Sequence, residues 1–213
     1  MARPRPAVVL VHGLWFPAAF LALLARRLEG AGFRVRRFGY RTSRAPLDRA
    51  AGALAGLLER EFPEGAHLVG HSLGGLLILD TLHRHEGAGP GRVLMLGTPL
   101  QGSVVVRRTA GWFGVGSAIG HATTLLHAGH DYWPERREVG MIAGDRRAGL
   151  GQLSGALRGP NDGTVAVAET RDERLADHVV LPVTHSGMVF SSPVVRQAAH
   201  FLRVGRFRRA EPG

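Results

Sequence analysis

The chain has 213 residues, 45% of them hydrophobic, and 27 basic against 17 acidic side chains give it a net charge of +10. That length supplies one core but not two comfortable ones, so a single domain is expected over residues 1–205, followed by a basic tail over 206–213. There is no cysteine, which excludes disulfides, a cysteine nucleophile and an all-thiolate zinc site.

Val8-Val9-Leu10-Val11 reads as a buried strand over 7–11 that runs straight into His12-Gly13-Leu14-Trp15. Phe20, Leu21, Leu24 and Leu28 then recur at helical spacing over about 17–29, and Gly30 and Gly32 stop that helix. A strand is predicted over 33–38, and a second helix over 47–61 begins after Pro46 and buries Leu47, Leu54, Leu57 and Leu58. Further strands are predicted over 67–70, 92–97, 139–143 and 178–183, with a third helix from Leu73 to about His85. The last helix takes Ser192 as N-cap and Pro193 as its first residue, with Val195, Ala198 and Leu202 on its inner face. The tail after Gly205 is expected to fray. Strands alternating with helices predict the α/β class: a doubly wound, mostly parallel sheet of about six strands with helices on both faces.

Gly70-His71-Ser72-Leu73-Gly74 joins the third strand to the third helix. A G-x-S-x-G pentapeptide in that setting makes Ser72 a candidate nucleophile. The turn is so tight that the residues two before and two after the serine must be small, and the hydroxyl is pushed out above the strand ends. The plain alternative is an ordinary turn whose serine caps the helix, and with 30 glycines in the chain the pentapeptide alone does not decide between them.

Together with the strand that ends in His12-Gly13, this pattern resembles the α/β-hydrolase superfamily. In that fold the loop after an early strand donates one backbone N–H to the oxyanion, and the residue after the nucleophile donates the other. The resemblance implies Leu14 and Leu73 as the two donors, with His12 and Gly13 shaping the loop. The family's order of nucleophile, acid and histidine also holds here. Asn161-Asp162-Gly163-Thr164-Val165 is similar to the acid-bearing loop of bacterial lipases, and Val179 to His185 is a strand ending in histidine. The resemblance therefore implies Ser72 as nucleophile, His185 as general base and then acid, and Asp162 as the carboxylate that orients the imidazole. Asp145, which follows the fifth strand, is the rival acid, and His178 is the alternative to His185. His71 is read as a structural residue of the elbow.

Leu96-Gly97-Thr98-Pro99-Leu100-Gln101-Gly102-Ser103 further resembles a segment of bacterial lipases and esterases and of the GPI inositol deacylase and palmitoyl-thioesterase relatives. What the resemblance implies is a minimal α/β-hydrolase fold with a small lid or none, working without a cofactor. The expected function is a serine hydrolase that cleaves carboxylic esters of short to medium acyl chains through an acyl-enzyme. Alternatives are a lipase, thioesterase or acyltransferase using the same triad, and a non-catalytic binding protein on the same fold.

Residues 102–137 break the alternation of strands and helices and are expected to form a small cover. The segment is glycine-hinged and apolar, and Trp15, Phe16, Trp112, Phe113 and Met188 are candidate walls of a substrate pocket. The alternative is an ordinary packing helix under a surface loop. His121, His127, His130 and Asp131 have no tight chelating spacing, so no metal is expected.

Every basic side chain is arginine, and the arginines cluster near residues 34–37, 107–108, 136–137 and 203–209. The functional reading is weak peripheral contact with an anionic membrane surface, at about 1 kcal/mol per residue. A solvated face is the simpler reading, and no nucleic-acid motif accompanies the charge. The expected partner is a small-molecule or lipid ester. The apolar run Ala7–Val11 is too short for a signal segment and no long apolar stretch follows, so a soluble, cytoplasmic protein is expected.

Overall fold

The computed structural model describes residues 5–42, 46–85, 89–112 and 114–209. Six parallel strands stand in the order β2-β1-β3-β4-β5-β6. They are β1 Ala7–Val11, β2 Arg34–Phe38, β3 His67–His71, β4 Val93–Leu96, β5 Val139–Gly144 and β6 Asp177–Leu181. The helices are α1 Ala22–Gly30, α2 Leu47–Glu61, α3 Leu73–Arg84, α4 Val104–Thr109, α5 Val115–Ile119, α6 Thr123–Ala128 and α7 Ser192–Val204.

Period-two alternation sorts the strand side chains between two cores. Val8 and Leu10 of β1 join Val69, Leu94 and Ile142 on the face covered by Leu24 and Leu28 of α1 and by Ala198, Phe201 and Leu202 of α7. Val9 and Val11 join Leu68, Met95 and Met141 on the other face, under Leu54 and Leu58 of α2 and Ile78 and Leu82 of α3. Because helices cover both faces, the central strands are apolar throughout, as parallel strands must be. Edge strand β2 carries Arg34, Arg36 and Arg37 outward. At least half its backbone groups face no neighbouring strand, and charge there discourages pairing with another chain.

The first helix begins as a 3₁₀ turn over Ala18–Leu21 before it becomes α-helical. At the last helix the N-cap is Ser191, not Ser192: the Ser191 hydroxyl accepts the Val194 amide at 3.4 Å, which puts Pro193 second in the helix. The tail is also firmer than expected. Phe207 is buried against Phe201, with ring centroids 5.0 Å apart, and its amide donates to Asp177 Oδ2 at 2.6 Å. Arg208 exchanges backbone bonds with the Gln197 side chain at 2.9 and 3.0 Å, so the chain is held down as far as residue 209.

Several arginines stitch loops together. Arg137, buried, donates to the carbonyls of Ala66 and Gly91 at 3.0 Å each, and burial lowers its pKa to about 10. Arg92 pairs with Glu138 at 2.6 Å and donates to the Leu202 and Arg203 carbonyls at 3.1 Å. Arg107 does the same for the carbonyls of Gln101 and His127. With fewer acids than bases, the guanidinium's five donors find backbone oxygens instead. Among the described residues no helix is long and apolar enough to cross a membrane.

Candidate active site

The elbow follows from two glycines and a strained serine. A Cβ on Gly70 would come 2.5 Å from Gly75 Cα, and one on Gly74 would collide with the carbonyl oxygens of Val11 and His12. Only bare backbone lets β3 turn so tightly into α3. Ser72 at the apex has φ 54° and ψ −123°, a conformation that costs a non-glycine residue on the order of 1–3 kcal/mol and persists only where its surroundings enforce it. They do so from several sides. The Ser72 amide donates to Leu96 O at 2.9 Å, and its carbonyl accepts the Gly75 amide and the Thr98 hydroxyl, both at 3.0 Å. Among the described residues the Ser72 hydroxyl makes no capping bond to α3.

Beside the elbow, Asp162 and His185 meet. His185 Nδ1 donates to Asp162 Oδ2 at 2.7 Å, and the His185 amide donates to the Asp162 carbonyl at 2.9 Å. The other carboxylate oxygen accepts the Thr164 and Val165 amides at 2.9 and 2.7 Å, so the carboxylate is held by its own loop. Asp162 is 1% exposed and His185 5%. Among the described residues no hydrogen bond joins Ser72 Oγ to His185 Nε2. Asp145 is exposed at the end of β5, and its amide donates to Leu181 O of β6 at 3.2 Å. His178 bonds the Thr170 hydroxyl at 2.9 Å at the far end of β6. The geometry thus groups Asp162 with His185 and leaves both alternatives outside.

His71 connects the two halves. Its Nε2–H donates to the His185 carbonyl at 3.0 Å, the two rings lie 4.8 Å apart, and Nδ1 is buried with no hydrogen-bond partner among the described residues. Burial first, and the neighbouring His185 second, lower its pKa to about 3, so it stands neutral beside His185. Leu73 begins α3 and Leu14 follows the His12-Gly13 turn; among the described residues neither amide is taken by another backbone carbonyl. Two uncommitted N–H groups therefore flank the elbow, one at a helix N-terminus.

The candidate pocket walls divide. Phe16 stacks on Phe20 at 4.1 Å and stands edge-on to His71 at 6.3 Å, and Phe20 meets Phe190 edge-on at 4.9 Å. Phe190, 44% exposed, ends the 3₁₀ turn that follows His185. Phe190 stands 174 residues from Phe16 and no local pattern links them, while the helical spacing marked Phe20 only as a helix-face residue. Trp15 is 58% exposed and takes φ 61°, with its indole N–H donating to Ala118 O of α5 at 2.9 Å. Trp112 is exposed on the cover, and Phe113 lies outside the described residues. Met188, expected on a pocket wall, is 0% exposed and packs among the sheet-core residues, so it presents no open face. The 3₁₀ turn over Ser186–Phe190 rotates it inward.

The cover is three short helices. Ile119, Ala122 and Leu126 pack with Val106 on Leu73, Leu76 and Leu47. Buried Glu169 ties α4 to the turn after the Asp162 loop, accepting the Val104 amide and, at 2.6 Å, the Ala166 amide; burial raises its pKa. His121 and His127 are exposed, while His130 stands 3.8 Å from Asp80. Among the described residues no group of three or more acidic or histidine side chains could hold a metal ion. Two open grooves, of about 660 Å³ around Gln101, Arg171 and His178 and about 720 Å³ around Arg5, Phe33 and Arg34, contain none of the site residues.

Several solved structures share this architecture. The mature Bacillus licheniformis lipase BlEst2 superposes with a TM-score of 0.75 at 19% identity, covering 95% of this chain and 93% of that one. The type II thioesterase BorB of the borrelidin biosynthetic cluster gives 0.64 at 18%, over 95% and 93%. A Paleococcus ferrophilus monoacylglycerol lipase gives 0.58 at 17%, over 93% and 95%. At such identities the likeness is one of fold. No curated protein sequence matches the chain. The sequence profile of the alpha/beta hydrolase family, however, matches residues 8–211, nearly the whole chain, and with the six-stranded parallel sheet and the serine elbow this makes the protein a member of the alpha/beta hydrolase family.

Proposed function

We propose that the protein is a serine hydrolase that cleaves carboxylic esters of short to medium acyl chains. The observation that carries this reading is the buried Asp162–His185 hydrogen bond of 2.7 Å set beside a serine held in strained backbone geometry. Ser72 Oγ attacks the ester carbonyl and His185 Nε2 takes its proton, while Asp162 holds the opposite ring nitrogen and stabilises the imidazolium. The Leu14 and Leu73 amides receive the oxyanion. His185 then returns the proton to the departing alcohol, leaving an acyl-enzyme. Water attacks that intermediate with His185 again as base, and the acid and free Ser72 result. Each oxyanion donor contributes about 2.7–4 kcal/mol of transition-state stabilisation.

The aromatic run Phe16–Phe20–Phe190 supports an apolar acyl group, since it starts beside His71 and reaches solvent at Phe190. A buried methylene contributes about 0.8 kcal/mol, so a wall of this kind favours the first few carbons of a chain and little beyond. Trp15, bonded to Ala118 of the cover, and exposed Trp112 are the further aromatics that this reading assigns to the substrate. The test is a fluorophosphonate probe with the Ser72→Ala variant as control. Labelling of the native protein that disappears in the variant is the expected result; a folded native protein that never labels removes the serine-hydrolase reading.

A further inference from the structure

The peptide groups that lead into Leu14 are fixed from outside their own loop, and Tyr40, just beyond β2, does the fixing. The Tyr40 amide donates to His12 Nε2 at 3.2 Å, its phenol donates to the His12 carbonyl at 3.0 Å, and its ring stacks on the His12 ring at 4.5 Å. With Nε2 accepting, the His12 proton sits on Nδ1, which donates to the Gly13 carbonyl at 3.0 Å. A trans peptide is planar, with its N–H opposite its C=O. Holding the Gly13 oxygen toward the His12 ring therefore turns the Leu14 N–H the other way. Gly13 lies against the nucleophile: a Cβ there would come 2.9 Å from Ser72 Cβ.

We propose that Tyr40 is a positioning residue of the oxyanion hole, fixing the His12 ring and backbone so that the Leu14 N–H is aimed at the oxyanion formed on attack by Ser72. The inference rests on the serine-hydrolase reading above and deepens it. Tyr40 stands 28 residues from His12, touches no reacting atom and carries no motif of its own. Its contribution is preorganisation: a donor aimed in advance strengthens the bond to the transition state without strengthening the bond to the ester itself. Packing alone would instead change stability and leave the rate where it was.

Tyr40→Phe removes one hydrogen bond and keeps the ring stack and the amide bond. With p-nitrophenyl acetate, kcat is expected to fall about 10-fold with KM unchanged, and affinity for a phenylboronic acid, a tetrahedral mimic, to fall by a similar factor. Tyr40→Leu, which loses the stack as well, is expected to fall about 100-fold. If the Leu variant does not fold, the near-isosteric Phe variant still decides. A lower melting temperature with undiminished kcat overturns the inference, as does a rise in KM alone. Fluorophosphonate labelling of the native protein separates the two failures: labelling together with unchanged kcat in Tyr40→Phe removes only the Tyr40 role, whereas no labelling removes the hydrolase reading and the inference with it.

Discussion

The elbow around Ser72 and the cover over residues 104–128 are built on different terms. Ser72 is gripped by Leu96 and Thr98 at the end of β4 and by Gly75 in the opening turn of α3, with fully buried Leu73 directly after it. The cover consists of helices of six, five and six residues that lean on Leu14, Leu47, Leu73 and Leu76. Helices so short are unstable alone and exist by virtue of that apolar contact. Strain at Ser72 can be stored only where packing over-determines the backbone, and local changes are tolerated only where it does not. One side chain spans the two regions: Trp15 follows the His12-Gly13-Leu14 loop, and its indole is bonded to Ala118 in α5. Substitutions in the first region should therefore change rate by orders of magnitude, and those in the second should change preference by small factors.

The sharpest break of the comparison is Ser72→Ala. Turnover is expected to fall about a million-fold, as removal of a triad nucleophile does, with the circular dichroism spectrum unchanged. A variant that keeps a tenth of the activity on p-nitrophenyl butyrate would take Ser72 out of the mechanism. Next in size is Asp162→Asn, which replaces the acceptor of the His185 Nδ1–H and upsets the tautomer; a loss of about 10⁴ in kcat is expected. Asp145→Asn, in an exposed side chain that does not reach His185, should stay within about two-fold. If the two variants rank the other way, the carboxylate's role belongs to Asp145.

Much of this division was legible in the residues. The six strands were placed to within a residue or two, the four central ones because continuous apolar runs have few other uses in a covered parallel sheet. Asp162 and His185 could be named because loop chemistry and chain order are one-dimensional signals. What was lost concerns direction and distance. Ser191 and Ser192 are neighbours of the same type, and only the hydroxyl's orientation decides which caps α7. Met188 stands three residues from His185, yet a 3₁₀ turn points it into the core. Phe207 docks the tail on Phe201 by an apolar contact that a basic stretch conceals. Tyr40 at His12 and Phe190 at Phe20 meet across 28 and 170 residues, and no local pattern announces such pairs.

An intermediate effect concerns acid stability. His71 has its pKa lowered to about 3 and His67 to about 4, both chiefly by burial, and burial lowers His12 as well. In the unfolded chain each titrates near 6.5. Between that pH and the folded value the unfolded state binds more protons, so folding stability falls as pH drops through this window and is untouched above it. For His71 the slope is at most about 1.4 kcal/mol per pH unit. His71→Gln, whose side-chain amide can still donate to the His185 carbonyl, should flatten the decline in melting temperature between pH 6.5 and 4, the window set by these shifts. An unchanged slope would mean that His71 accepts its proton in the folded protein.

The smallest effect expected is on acyl-chain preference, and it probes the comparison from the permissive side. Phe190 is 44% exposed at the outer end of the aromatic run, with its carbonyl anchored by the Arg27 guanidinium at 2.5 Å. A chain lying on Phe16 and Phe20 gains about 0.8 kcal/mol per methylene, roughly four-fold in kcat/KM, only while an aromatic face is beneath it. The profile over acetate, butyrate, hexanoate, octanoate and longer esters should therefore climb and then level off, without a jump when the substrate forms an emulsion. Phe190→Ala removes the last face and should move the plateau to shorter chains, cutting kcat/KM for hexanoate a few-fold while acetate stays as it was. Acetate never reaches that far and shares only the elbow, so it serves as the internal control. A uniform loss across the series would mean that Phe190 acts through the His185 turn and belongs with the gripped region. Activity that keeps rising through long chains, or appears only with emulsified lipid, would make α4 to α6 a mobile lid over a longer cleft, and the aromatic run would then be only its entrance.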